Sequence, residues 1–299
     1  MSRKIFRLPK LARHDVCGRK DIEDILILYM YNLKKFFDMK RNMILAALAA
    51  ATVLGVIGCC GTKDVKVETI KKNAAYALVE GGRDSVKIEI SLQFPTEGLG
   101  AEAAEGICDG IVMDALGEQF CGMTTHEAVQ GYIEETVKNY RDANLEFVDQ
   151  VAKNPEDREE GEWDIFTWEF MIEGRMESDY NGFLSYSLSK YSYTGGAHGG
   201  TLLLGLNFMK ETGDPVTEND IFAFGYEERL STALRAHLKS SLDKDSYNML
   251  FTTDITPNGN FVLSKAGITY IYGQYEIGPY SIGIIKVTVP WSEIQDILK

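Results

Sequence analysis

The chain has 299 residues, 45% hydrophobic and 25% charged, an ordinary globular composition with room for one large domain or two modest ones. Its formal net charge is −13, and residues 59–299 alone hold 20 basic and 39 acidic residues, a formal charge of −19. Such a surface repels nucleic acid and anionic membranes and suits a cationic partner, although acidity serves solubility equally well.

Residues 1–38 are basic and carry no nucleic-acid motif; they read as an over-called upstream start or a cytoplasmic extension, since a start at Met39 gives a signal of normal proportions. Residues 39–58 read as a lipoprotein signal peptide. Lys40 and Arg41 precede the apolar run Met43 to Gly58, which falls short of the roughly 20 residues that span a bilayer. Val56-Ile57-Gly58-Cys59 has the form of a bacterial lipobox, so Cys59 is the expected lipidation site. The mature chain is then anchored in the cell envelope, facing the periplasm or the exterior, and meets the membrane only through that lipid.

A first strand is expected from Val65 to Ile70. A firmer one follows, where Val86, Ile88, Ile90, Leu92 and Phe94 alternate with Lys87, Glu89, Ser91 and Gln93 until Pro95 ends it. Ile107, Ile111, Val112, Ala115 and Leu116 recur at helical spacing. A second helix opens at Thr124, with Glu127 at capping-box distance, and its apolar stripe runs through Val129, Ile133, Val137 and Tyr140 toward Phe147. His126, in its first turn, lacks the second histidine of a zinc helix. Cys108 and Cys121 flank the end of the first helix and read as small buried residues; a bridge requires the chain to fold back there. A charged loop around Pro155 follows.

Beyond Gly161 strands dominate. Phe166, Trp168, Phe170 and Ile172 share one face, Leu184, Tyr186 and Leu188 another, and Asn181-Gly182 is a hairpin signal that pairs them antiparallel. "TLLLGLNF" reads as a strand, and Leu230, Leu234, Leu238 and Leu242 stripe a helix bordered by His237. Strands around Phe261, Tyr270 and Val287 precede a terminal helix over Trp291 to Leu298. This order predicts an α+β fold, a largely antiparallel sheet with helices packed on it. Residues 59–200 are expected to form its N-terminal part and 201–299 its C-terminal part, in one continuous module.

No nucleophile elbow, phosphate loop or paired-cysteine or paired-histidine metal motif appears, so neither cofactor nor metal is expected. Two segments stand out: "YSYTGGAHGG", Tyr191 to Gly200, and "YEIGPYSIG", Tyr275 to Gly283. Gly195-Gly196 and Gly199-Gly200 each permit a bend, holding Ala197 and His198 between them. A histidine so placed is a structural turn residue, a binding residue or a general base. Catalysis needs an orienting acid, for which Asp254 and Glu276 are the candidates.

These two segments resemble a pair of extracytoplasmic domains of unknown function. So do Asn207-Phe208, Thr212-Gly213, "ENDIF" and the leucine-striped helix. The pair occurs in lysozyme-sensing anti-sigma factors of the RsiV kind and in PdaC-type cell-wall deacetylases. The resemblance implies an α+β fold outside the cytoplasm, and protein binding by loops rather than catalysis. The chain lacks the separate deacetylase domain, and a cleaved lipoprotein cannot signal to a sigma factor. The reading favours an envelope binding or sensing protein over an enzyme, with a basic protein such as lysozyme or a cell-wall glycan as its partner. The binding residues are Tyr193, Gly195, Gly196, His198, Pro279 and Tyr280. Two alternatives stay open: an envelope hydrolase with His198 as base, and a structural lipoprotein.

Overall fold

The computed structural model describes residues 64–80, 82, 84–147 and 166–299. Cys59, the signal peptide and the loop around Pro155 lie outside them. The described part belongs to the compact unit Gly61–Lys299. It contains two sheets, each with its own core.

The larger sheet runs in the order β1 (Lys66–Ala77), β2 (Ser85–Glu97), β3 (Trp168–Tyr180), β4 (Phe183–Tyr193), β5 (Gly200–Met209). All neighbours are antiparallel except β2 and β3, which run parallel because the chain crosses between them through two helices. The expected alternation in β2 holds, with Val86, Ile88, Ile90, Leu92 and Phe94 all buried. Pro95 does not end the strand. The ladder slips beside it, between Lys66 and Val67, and this irregularity accommodates a residue that cannot donate to the ladder. β1 is twice as long as its weak alternation suggested, because β2 supplies a continuous template.

Helices α1 (Ala101–Ala115) and α2 (Thr125–Asn144) cover one face of this sheet. The capping box forms as its spacing predicts: Glu127 N–H donates to Thr124 Oγ1, and Thr124 N–H donates to Glu127 Oε2. Val129, Ile133, Val137 and Tyr140 are buried, and the α-helix stops at Asn144, before Phe147. Tyr140 donates to Phe166 O at 2.7 Å and meets Trp168 edge-on. Lys190 points into the same side from β4, where its ammonium donates to Asp114 O near the end of α1; burial pulls its pKa down. Cys108 and Cys121 are both free and half-buried.

The hairpin between β3 and β4 turns at Asn181-Gly182, both with positive φ, as the two-residue turn requires. After β5 come α3 (Glu218–Ile221), α4 (Glu227–Leu238) and α5 (Lys244–Asn248), then a smaller antiparallel sheet, β6 (Phe261–Leu263), β7 (Gly267–Tyr272) and β8 (Ile285–Pro290). Leu230, Leu234 and Leu238 of α4 pack on it; Leu242 packs there too, from beyond the helix. The terminal segment is not one helix. It forms two single 3-10 turns, Trp291–Glu293 and Gln295–Ile297, with Ile294 buried between them. Eight residues with three apolar anchors bury Ile294 equally well in tight turns, and so short a helix gains little from continuity.

The smaller sheet rests on the larger one at β5. Gly205 makes the approach possible, since a Cβ there would collide with the carbonyl of Phe261. Beside it, Asn207 Nδ2 donates to Phe261 O, Ser185 Oγ donates to Asn207 Oδ1, and Leu263 N–H donates to Ser185 Oγ. The outer edge of β5 is occupied by side-chain amides. Gln274 accepts from Thr201 N–H, while Asn260 accepts from Gly205 N–H and donates to Leu203 O. These contacts leave little of that edge for another strand to pair with.

Candidate functional site

The two glycine-rich segments meet. The segment 194–199 leaves β4 and returns to β5, and the segment 273–284 links β7 to β8. Gly195 and Gly196 have φ of 98° and 100°, so the first bend is where the glycine pair places it. The second pair behaves differently. Gly199 is buried and has no room for a side chain, because a Cβ would collide with the Tyr191 ring and hydroxyl; Gly200 already begins β5.

His198 is exposed and stacks on Tyr280, with ring centroids 4.2 Å apart and planes at 27°. Both rings are tied to one atom. Gly199 O accepts from Tyr280 Oη at 3.0 Å and from His198 Nδ1 at 3.1 Å. Since a carbonyl only accepts, Nδ1 is the donor in this contact. Tyr193 serves its own loop, which its hydroxyl closes by donating to Gly196 O at 3.0 Å. Pro279 starts the 3-10 turn Tyr280–Ile282 that presents the Tyr280 ring. Burial, together with nearby Glu169, Tyr280 and Tyr193, raises the Tyr191 phenol pKa.

Tyr275 enlarges this aromatic group; the sequence marks it only as the first residue of the second segment. Its ring lies 5.8 Å from Tyr280, it is 57% exposed, and its φ of 64° is one that a bulky residue rarely adopts. Phe251, 64% exposed, donates its N–H to Ile277 O and adds apolar surface beside the same segment; no pattern in the sequence marks it.

The acids considered for catalysis are engaged elsewhere. Asp254 pairs with Arg235 at 2.8 Å, and Glu276 accepts from Gly273 N–H at 2.6 Å and from Asn258 Nδ2 at 2.8 Å. Among the described residues no carboxylate lies within ion-pair reach of His198, and no His, Cys, Asp or Glu group gathers as a metal site. His126 is exposed, 3.9 Å from Glu68, and His237 meets Glu293 at 2.9 Å. Glu218 of "ENDIF" is architectural, accepting from the Tyr270 and Tyr226 hydroxyls and from Gly259 N–H.

Residues 119–201 match the family model described as deacetylase PdaC, and residues 219–292 match that of a protein of unknown function, DUF3298. The chain carries both domains of the pair. His198 belongs to the PdaC match and Tyr280 to the DUF3298 match, so their stacked rings join the two. A solved member of the DUF3298 family from Bacteroides fragilis is 25% identical, with a TM-score of 0.68 over 80% of this chain and 95% of that one. A DUF3298 family protein from Pseudomonas aeruginosa PAO1 is 18% identical, with a TM-score of 0.53 over 80% and 96%, and shows the shared fold. No curated protein matches the chain. A PdaC-type domain beside a DUF3298 domain points to an envelope-associated, extracytoplasmic protein. Among the described residues no helix is long and apolar enough to cross a membrane.

Proposed function

We propose that the chain is a lipid-anchored cell-envelope binding protein that recognises a basic protein of the lysozyme kind through the surface around His198 and Tyr280. One observation carries this reading: the two segments, far apart in sequence, meet as an outward-facing aromatic group on rigid turns. Rings held this way, with Tyr275 and His198 exposed and Tyr280 half-buried, give contact area at low entropic cost, and aromatic rings dominate binding energies at protein interfaces. The −19 charge of residues 59–299 draws a cationic partner. Anchoring rests on Cys59 and its lipobox. Hydrolysis with His198 as base is disfavoured, since Asp254 and Glu276 are engaged elsewhere.

The test is retention of the chain on immobilised lysozyme and on sedimented cell-wall glycan, beside a His198→Ala/Tyr280→Ala variant. Retention on lysozyme at low salt, lost in the variant, supports the proposal. Retention on glycan alone moves the ligand to the polysaccharide, and retention on neither leaves a structural envelope protein.

A further inference from the structure

The two edges of the larger sheet differ. The edge of β5 is filled by Gln274 and Asn260, whereas no strand or side chain among the described residues bonds the outer side of β1 between Thr69 and Ala77. Strand register decides which of its backbone groups are free. Leu78 N–H donates to Asp84 O, and the ladder steps back from there as Tyr76↔Val86, Ala74↔Ile88 and Lys72↔Ile90. Along an antiparallel strand, residues alternate between bonding that neighbour and facing away from it. The even residues of β1 therefore bond β2, and the N–H and C=O groups of Thr69, Lys71, Asn73, Ala75 and Ala77 face the empty side.

Beside this edge, on the helix side of the sheet, lies a groove of about 360 Å³. Tyr76 of β1 lines it on one side, and Ile133, Glu134, Val137 and Arg141 of α2 on the other. Ile133 and Val137 are buried, Tyr76 is half-buried, and Glu134 makes no ion pair among the described residues. A strand added to β1 extends the sheet alongside this groove, so its helix-side residues have somewhere to go. A long edge with free donors and acceptors is a template for such a strand.

We propose that the occupant is a second copy of this chain, its β1 paired antiparallel with this one about a two-fold axis at Asn73. The strand "KVETIKKNAAYA" has two halves that complement each other about that residue, as a self-pairing surface requires. On the outward side Lys71 meets Ala75 and Thr69 meets Ala77. On the helix side Lys72 meets Ala74 and Ile70 meets Tyr76, while the two Asn73 amides share the axis. An axis at Lys71 instead sets lysine against lysine, and like charges directly opposite destabilise a sheet. The paired lysines therefore guard the edge against that register and permit this one. The partner's Lys72 comes to lie opposite Ala74, on the side where Glu134 borders the groove. About ten main-chain hydrogen bonds join the copies into one continuous sheet.

Size-exclusion chromatography with light scattering, on the full chain in detergent at micromolar concentration, should show a dimer. Asn73→Pro keeps the bonds to β2, since the Asn73 N–H faces away from it, and should weaken the dimer at least about tenfold. Mild oxidation tests the register independently, read above the background of the unaltered chain. Asn73→Cys should cross-link the copies, because paired Cα atoms at the axis lie about 5.5 Å apart. Thr69→Cys should not, because its two copies lie about 26 Å apart along the strands. A monomer at these concentrations assigns the edge to some other occupant and overturns the proposal. So does a dimer unmoved by Asn73→Pro, or cross-linking of Thr69→Cys equal to that of Asn73→Cys.

Discussion

A single carbonyl oxygen, that of Gly199, organises the candidate recognition surface by accepting from both His198 and Tyr280. Tyr280→Phe removes one of those bonds and keeps the stacked ring. It should lower stability by about 1 kcal/mol. Tyr280→Ala also removes the ring and should cost about 2 kcal/mol. Chemical denaturation of the two variants checks the order, and an equal loss from both would mean that the stack contributes nothing. Sequence identifies His198, Tyr193 and Tyr280 as residues of interest because rings beside glycines and proline are conspicuous. It is silent on which of them touch, since the two segments are 81 residues apart at the Tyr280–Gly199 bond. It places Tyr193 among binding residues, and in the structure the Tyr193 hydroxyl closes its own loop on Gly196 O.

Among the elements, β5 carries the largest share of the architecture. It closes the larger sheet, seats the smaller one through Gly205 and Asn207, and has its free edge bound by Gln274 and Asn260. Gly205→Ala places a methyl against the backbone of Phe261, which cannot yield as a side chain would, so it should destabilise the chain by about 3 kcal/mol. A thermal melt checks this, and an unchanged midpoint would show that the two sheets do not depend on the contact. Elements with strict periodicity are legible in sequence: β2, the β3–β4 hairpin, the capped start of α2 and the stripe of α4. The tail from Trp291 is not, because its spacing fits two tight turns as well as a short helix. The length of β1 comes from its partner strand, and no property of its own residues announces it. Asn207-Phe208 and "ENDIF" are conspicuous in sequence but prove to be architectural.

Across the whole molecule, buried ionisable groups set an alkaline limit. Burial pushes the Cys108 thiol from 9.0 up to about 11, and the Tyr140 phenol from 10.0 up to about 12. Tyr226, Tyr270 and Tyr272 are raised further, by burial and by Glu218 or Glu276 nearby. Above pH 9 the unfolded chain loses these protons while the folded chain keeps them. The folded state then binds more protons, and stability falls as pH rises. Denaturant midpoints should therefore drop progressively from about pH 9 to pH 12, with most of the fall in Cys108→Ala still present because the tyrosines remain. Flat midpoints across that range would contradict the burial of these groups.

The acidity of the chain and its aromatic surface together make recognition of a basic, envelope-exposed protein testable at peptide level. Hydrogen–deuterium exchange of the chain with and without lysozyme at low ionic strength decides it. Recognition through this surface should slow exchange in residues 193–201 and 275–283, an effect that fades as salt screens the attraction. Slowed exchange confined to other segments, or none anywhere, would contradict it.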